Sequence, residues 1–311
     1  MAVTGAGGQL GGYLVPALRD AGAEVIGLGH AAGPTVDFAV DITDAAAVRA
    51  AIGDARPDMV IHGAAWTDVD GCERNPDKAE AVNADGSRHV AEATLTVGAY
   101  LLAVGTDFVF PGDGGAPYNE EAEPRPVSIY GASKLAGERA VLEADPSFAV
   151  ARTAWVYGGA GKHFPRTVLT VLRDRGGMEV VEDEAGNPTF AGDLAGALVE
   201  LAAVRGAGVF HLTNAGRTTR FELARAVAAA AGLDPALVAP TTTTEFLAKY
   251  PLPAKRPPDS TLANIRATAL GIVPRPWQEA VAAYVPRLTA ELGLPGAVHP
   301  SNGSSTGEST A

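Results

Sequence analysis

Through the first half of the chain, short runs of apolar and β-branched residues alternate with longer alanine-rich stretches whose apolar positions recur at helical spacing. This alternation is the signature of βαβ units around a parallel sheet. It predicts strands at Met1–Thr4, Glu24–Leu28, Met59–Gly63, Tyr100–Gly105 and Phe148–Arg152, with a further short strand near Val36–Val40. Helices are predicted between them near Gln9–Ala21, Asp44–Ile52, Pro76–Val97 and Ile129–Glu143. Thr43-Asp44 supplies capping chemistry for one of these, and Asn75-Pro76 puts proline at the first helical position of another. The first strand is short beside the usual five or six residues, which points to a start a few residues upstream.

Beyond about Val156 the alternation becomes irregular. Helices are expected near His163–Arg175, Gly192–Ala203, Arg220–Ala231 and Pro276–Glu291, with loops at Ala239–Thr244 and Tyr250–Pro258. The fold class expected is therefore α/β, a Rossmann-type doubly wound parallel sheet with a smaller C-terminal substrate-binding lobe. Residues 1–155 would form the dinucleotide-binding part and 156–298 mainly the lobe, with the chain free to cross back to the sheet. The tail 299–311 is of low complexity, rich in Ser, Thr and Gly, and is expected to be disordered.

Composition narrows the class. The 311 residues are 47% hydrophobic and 19% charged, which suits a globular chain and argues against general disorder. The net charge of −12 excludes a generally basic face, so no nucleic-acid partner is expected. No run reaches the ~18–20 apolar residues of a transmembrane helix, and no secretory leader opens the chain, so no membrane partner is expected. One cysteine, Cys72, forbids an intrachain disulfide, is expected as core filler, and fits a reducing cytoplasm, the location expected here.

Three pieces carry chemistry. Gly5, Gly8 and Gly11 recur every third residue between the first strand and the first helix, with Gln9 and Leu10 inside the turn. Glycine there permits a tight turn and close approach to a pyrophosphate, and the helix N-terminus offers amides to the phosphates. Leu10 stands where G-x-G-x-x-G would place its third glycine; the G-x-x-G-x-x-G spacing is that of extended short-chain dehydrogenases. Asp41 and Ile42 follow the third strand and are placed for the adenine ring, and Ala64, Ala65 and Thr67 follow the fourth. The second strand ends in Gly29-His30, with neither the acid that binds a ribose 2′-hydroxyl nor an arginine for a 2′-phosphate, so both NADPH and NADH are expected cofactors.

The second piece is Tyr130-Gly131-Ala132-Ser133-Lys134. Four residues apart on a helix, Tyr130 and Lys134 face one way. The ammonium is expected to lower the phenol pKa, and Lys134 to bind the nicotinamide ribose as well. The third is Thr106, at the C-terminal end of a strand, expected to donate to a substrate carbonyl. Hydride would pass to a ketone carbon while Tyr130 protonates the oxygen.

With these pieces in place the chain resembles the dTDP-4-dehydrorhamnose reductase family, from its first residues to about Ala290. The resemblance rests on Gly105-Thr106-Asp107-Phe108-Val109-Phe110-Pro111-Gly112, Tyr130–Glu138, Arg152–Gly158 and Arg256-Pro257-Pro258-Asp259-Ser260-Thr261-Leu262. Ala64–Asp70 and Gly186-Asn187-Pro188-Thr189 match as well. It implies reduction of a dTDP-4-keto-6-deoxy sugar, with Tyr130 as proton donor, Lys134 its partner and Thr106 the carbonyl-polarising hydroxyl. It further implies substrate contacts by Thr106, Asp107 and Trp155, and a nucleotide-sugar pocket lined by Arg256 and Ser260. No metal ligands are assigned, and a homodimer is left open.

Three positions depart from the family pattern. Gly105 replaces a serine, His163-Phe164 stands in place of Asn-Phe with altered substrate contacts expected, and Gly29-His30 lacks an acid. A sugar-nucleotide 4,6-dehydratase would need an Asp-Glu pair after the threonine, whereas this chain has Asp107-Phe108. The same residues are compatible with a 4-ketoreductase for another dTDP-deoxysugar, and a non-catalytic regulatory subunit is a further reading.

Overall fold

The computed structural model describes residues 1–294; the low-complexity tail lies outside the described residues. Six strands come from the first half: β1 (Ala2–Thr4), β2 (Ile26–Gly29), β3 (Phe38–Ala39), β4 (Met59–His62), β5 (Tyr100–Thr106) and β6 (Ala149–Thr153). The second half adds β7 (Val156–Tyr157), β8 (Met178–Val181), β9 (Ala185–Gly186), β10 (Thr189–Phe190), β11 (Gly208–His211), β12 (Thr218–Thr219) and β13 (Val238–Thr241). The central parallel sheet has the order β11-β6-β5-β4-β1-β2-β3. Order reverses between β1 and β4, and open α/β sheets bind ligands in the crevice at such a point.

The inner strands are buried on both faces, so their residues alternate between two cores, while the edge strand β3 is exposed. Val3, Ile61, Leu102 and Ala151 pack on one side under the helices Gly11–Asp20 and Ala191–Ala203. Ala2, Val60, Leu101 and Val150 pack on the other, against the helices Ala45–Ala55, Gly86–Thr96 and Ile129–Ala144. A third core builds the lobe from the helices Phe164–Arg175, Arg220–Ala230 and Trp277–Glu291 over the parallel pair β8–β13.

The folded chain corrects several expectations. The stretch Ala239–Thr244 is not a loop: it ends strand β13 and begins the helix Thr243–Lys249, which opens with a reciprocal cap between Thr242 and Glu245. The helix expected over Pro76–Val97 is divided into Pro76–Ala79, a π turn at Glu80–Asp85, and Gly86–Thr96. Strand β11 has no counterpart among the strands expected from sequence. It returns from the lobe to pair with β6 along four residues and completes the sheet.

Candidate active site

A cleft of about 500 Å³ opens at the C-terminal ends of β1, β4, β5 and β6, between the sheet and the lobe. On the cofactor side it is lined by Gly5, Gly8, Gln9, Leu10, Ala65 and Thr67. Gly5 has φ +71°, and a Cβ there would lie 2.7 Å from the Ala64 amide nitrogen. One at Gly11 would lie 2.3 Å from the Ala6 carbonyl oxygen, so the turn closes only around glycine. Its helix carries no side-chain cap and no acid in its first turn, which leaves the N-terminus favourable to an anion. The Gln9 amide donates to the Gly158 carbonyl at 2.9 Å and ties this turn to the lobe.

A narrow apolar recess continues from Gly5 past Leu28, Gly29, Val40, Ile42, Ala64 and Val90. Ile42 and Ala64 line it. Asp41 stands outside it, exposed, its carboxylate bound by the Thr43 amide and hydroxyl and thereby held below the usual range. His30 is at its rim.

The reacting end lies where β5 meets the helix Ile129–Ala144. Ser128 caps that helix by accepting from the Gly131 amide at 3.1 Å, and Glu73 accepts from the Ile129 amide at 2.8 Å. These bonds fix the first turn and with it Tyr130. Thr106, Tyr130 and Lys134 all line the cleft, each less than a tenth exposed. Lys134 Nζ donates to the Val104 carbonyl at 2.8 Å. Burial raises the Tyr130 pKa, with the Thr106 hydroxyl pulling the other way. Burial thus outweighs the depression expected from Lys134, whose ammonium is engaged by the backbone of β5, and the phenol is held protonated.

The lobe side is lined by Asp107, Trp155, Lys162, Arg220 and Arg256. Asp107 is buried and bonded by the Ser260 and Thr106 hydroxyls. Burial pushes its pKa up to about 6. Ser260 is itself buried and bears on the cleft through Asp107. Arg256 pairs with Asp70 through both nitrogens, the closer at 2.7 Å. Trp155 adopts φ +46°, a conformation rare outside glycine. The Arg220 guanidinium stacks 3.5 Å from its ring centroid, and the Gly186 backbone comes so close that a Cβ there would lie 2.7 Å from the indole.

Arg220 and Lys162 are absent from the sequence-based set. Arg220 opens a helix sixty-odd residues beyond Trp155, and no local pattern announces that it reaches the cleft. His163 is not a cleft residue. Its Nδ1 accepts from the Arg166 amide as a helix cap, and its Nε2 lies 2.9 Å from the Tyr284 hydroxyl. It caps this helix at the position where the family pattern has asparagine.

Between the two walls, a glycine cradle, a buried Thr–Tyr–Lys cluster and a cationic mouth share one crevice. The family model described as RmlD substrate binding domain matches residues 1–290. The dTDP-4-dehydrorhamnose reductase of Streptomyces griseus is 44% identical over 300 residues, covering 94% of this chain and 95% of that protein. This chain belongs to the dTDP-4-dehydrorhamnose reductase family. Among solved structures of that family, one from Clostridium acetobutylicum superposes with a TM-score of 0.85 at 35% identity, covering 93% of this chain and 99% of that one. A second, from Bacillus anthracis in complex with NADP, gives 0.83 at 34% identity, covering 91% and 97%.

Proposed function

We propose that the protein reduces the 4-keto group of dTDP-4-dehydro-6-deoxy-L-mannose (dTDP-4-dehydrorhamnose) to dTDP-L-rhamnose, with NADPH or NADH as reductant. The observation that carries the reading is the meeting of Thr106, Tyr130 and Lys134 with Trp155 and Arg220 around one cleft, in a chain of this family. The glycine cradle and the uncapped helix fit a dinucleotide pyrophosphate, and the apolar side chains of Ile42 and Ala64 beside them offer its adenine a surface to lie against. When bound, the nicotinamide supplies the hydride.

The remaining chemistry belongs to the side chains. The Thr106 hydroxyl turns its proton from Asp107 to the substrate carbonyl oxygen and polarises it. Tyr130, kept protonated by burial, transfers its phenolic proton to that oxygen as negative charge develops on it. Lys134 stabilises the phenolate that is left until a solvent proton restores it. Asp107 and Trp155 hold the sugar, and Arg220, Arg256 and Lys162 give the diphosphate a cationic wall. The unpaired cysteine and the product's place in nucleotide-sugar synthesis fit a reaction carried out in the cytoplasm.

The test is loss of reduced-nicotinamide absorbance when the protein meets dTDP-4-keto-L-rhamnose, with each cofactor separately. Tyr130→Phe is expected to lose roughly 10²–10⁴ in turnover while cofactor affinity stays close to that of the parent. Normal turnover in that variant would refute the assignment of the proton donor.

A further inference from the structure

The helix Ile129–Ala144 carries Tyr130, Lys134 and Glu138 at intervals of four, on one face and all buried. The chemistry above uses only the first two. Glu138 Oε2 accepts from Arg152 Nε at 2.9 Å, in an ion pair buried at both ends. Among the described residues, Glu138 Oε1 and Arg152 Nη1 have no hydrogen-bond partner. A half-satisfied buried pair stabilises a fold less than apolar side chains of the same size would. Packing alone is therefore a poor account of it.

Its position suggests another. A Cβ at Gly105 would lie 2.4 Å from Glu138 Oε1, so the carboxylate fills the space that the family's serine would claim. Gly105 stands between Val104, whose carbonyl holds Lys134, and Thr106. The bare glycine lets a negative charge reach the stretch of β5 that supports both.

We infer that Glu138 is a positioning residue for the proton transfer: admitted by Gly105, its charge keeps Lys134 an ammonium seated against the Val104 carbonyl. This rests on the reading of Tyr130 as proton donor. Burial lowers the Lys134 pKa and raises that of Glu138, and each charge opposes the shift of the other, with Arg152 adding to the hold on the carboxylate. Other titratable groups face the same region. His62 of β4 and His211 of β11 are each pushed to about 3 by burial and are neutral. Arg152 of β6 is already paired with Glu138, Asp107 leads the turn after β5, and Cys72 and Glu73 come from the helix Val69–Arg74. Glu138 is the carboxylate among them that acts on Lys134.

The experiment is the pH dependence of kcat for the full chain at saturating NADPH and keto-sugar, in the parent, Glu138→Gln and Glu138→Asp. The alkaline limb is expected to move down by about one pH unit in the glutamine variant, with KM changed less than about twofold. The aspartate variant, which keeps the charge, returns the limb close to the parent's even if its Tm is lower. An unmoved limb in Glu138→Gln, or an equal shift in both variants, overturns the proposal. Should Glu138→Gln fail to fold, Gly105→Ala displaces the carboxylate without removing it. The limb is then expected to move the same way, and an unmoved limb again overturns the proposal. Failure of the underlying reading looks different: it is normal turnover in Tyr130→Phe, whatever Glu138→Gln does.

Discussion

At the scale of single residues, Asp107 is the group whose protonation differs most usefully from that of a free carboxylate. Burial pushes it up to about 6, against the Ser260 and Thr106 hydroxyls and the charge of Arg220. Between about pH 4 and 6 the folded chain keeps a proton that the unfolded chain has released. The stability this contributes is fully present below about pH 4 and is lost as pH rises through 6. Asp107→Asn removes the titration, and the neighbouring hydroxyls can turn to meet an amide. Its Tm at pH 8 is expected to exceed the parent's by about 2–4 °C, and the difference to close at pH 4, as calorimetry would show. The chemical residues themselves are legible in the sequence, because Tyr130, Lys134 and Thr106 stand in local motifs. Arg220 is not, and neither is the stack it makes on Trp155, since that contact exists only once the lobe has folded over the sheet.

Elements divide in the same way for a different reason. The helix announced by Thr43-Asp44 appears as expected, with Asp44 accepting from the Ala46 and Ala47 amides, whereas the one announced by Asn75-Pro76 stops after a single turn. The Thr242–Glu245 spacing carries the same signal for the helix Thr243–Lys249, inside a stretch whose prolines and threonines suggest a loop. The π turn has no such signal. It is held by tertiary contacts, for Asn83 bonds the Trp66 amide and carbonyl and the Ser133 hydroxyl, thereby fixing the segment that follows β4. Gly137 lets the helix Ile129–Ala144 lie so close to the π turn that a Cβ there would be 2.2 Å from the Asn83 carbonyl oxygen. Such one-residue insertions recur beside functional sites. The glycine turn obeys stricter sterics. Gly11→Ala drives a methyl into the Ala6 and Gly5 carbonyls, and is expected to weaken cofactor binding by about a hundredfold or more, a cost of roughly 3 kcal/mol measurable by titration calorimetry.

For the whole molecule, the question is what keeps sheet and lobe in register across the cleft. Besides the Gln9 bond to Gly158, the contacts that span it include Ser260 to Asp107, and Arg256 to Asp70, residues 186 apart in sequence. Arg256→Ala removes both a cleft cation and this tie. The expected outcome is a rise of about tenfold in KM for the nucleotide sugar with a smaller fall in kcat, read from steady-state kinetics. Long-range ties of this kind explain why the lobe is harder to read from sequence than the sheet: its short strands take their identity from partners far along the chain. Among the described residues no helix is long and apolar enough to cross a membrane.

The return of β11 to the sheet has a consequence for biosynthesis. Until residue 211 has left the ribosome, β6 ends the sheet with an open edge, even though every other strand of the Rossmann half has already been made. Arg266 then secures the late arrival, donating to the Val209 and Ala207 carbonyls and covering the Phe210 ring. A nascent chain paused between these points carries an unpaired strand that invites association with its neighbours on the same message. Translation speed through the second half of the chain thus bears directly on how much of the protein escapes aggregation.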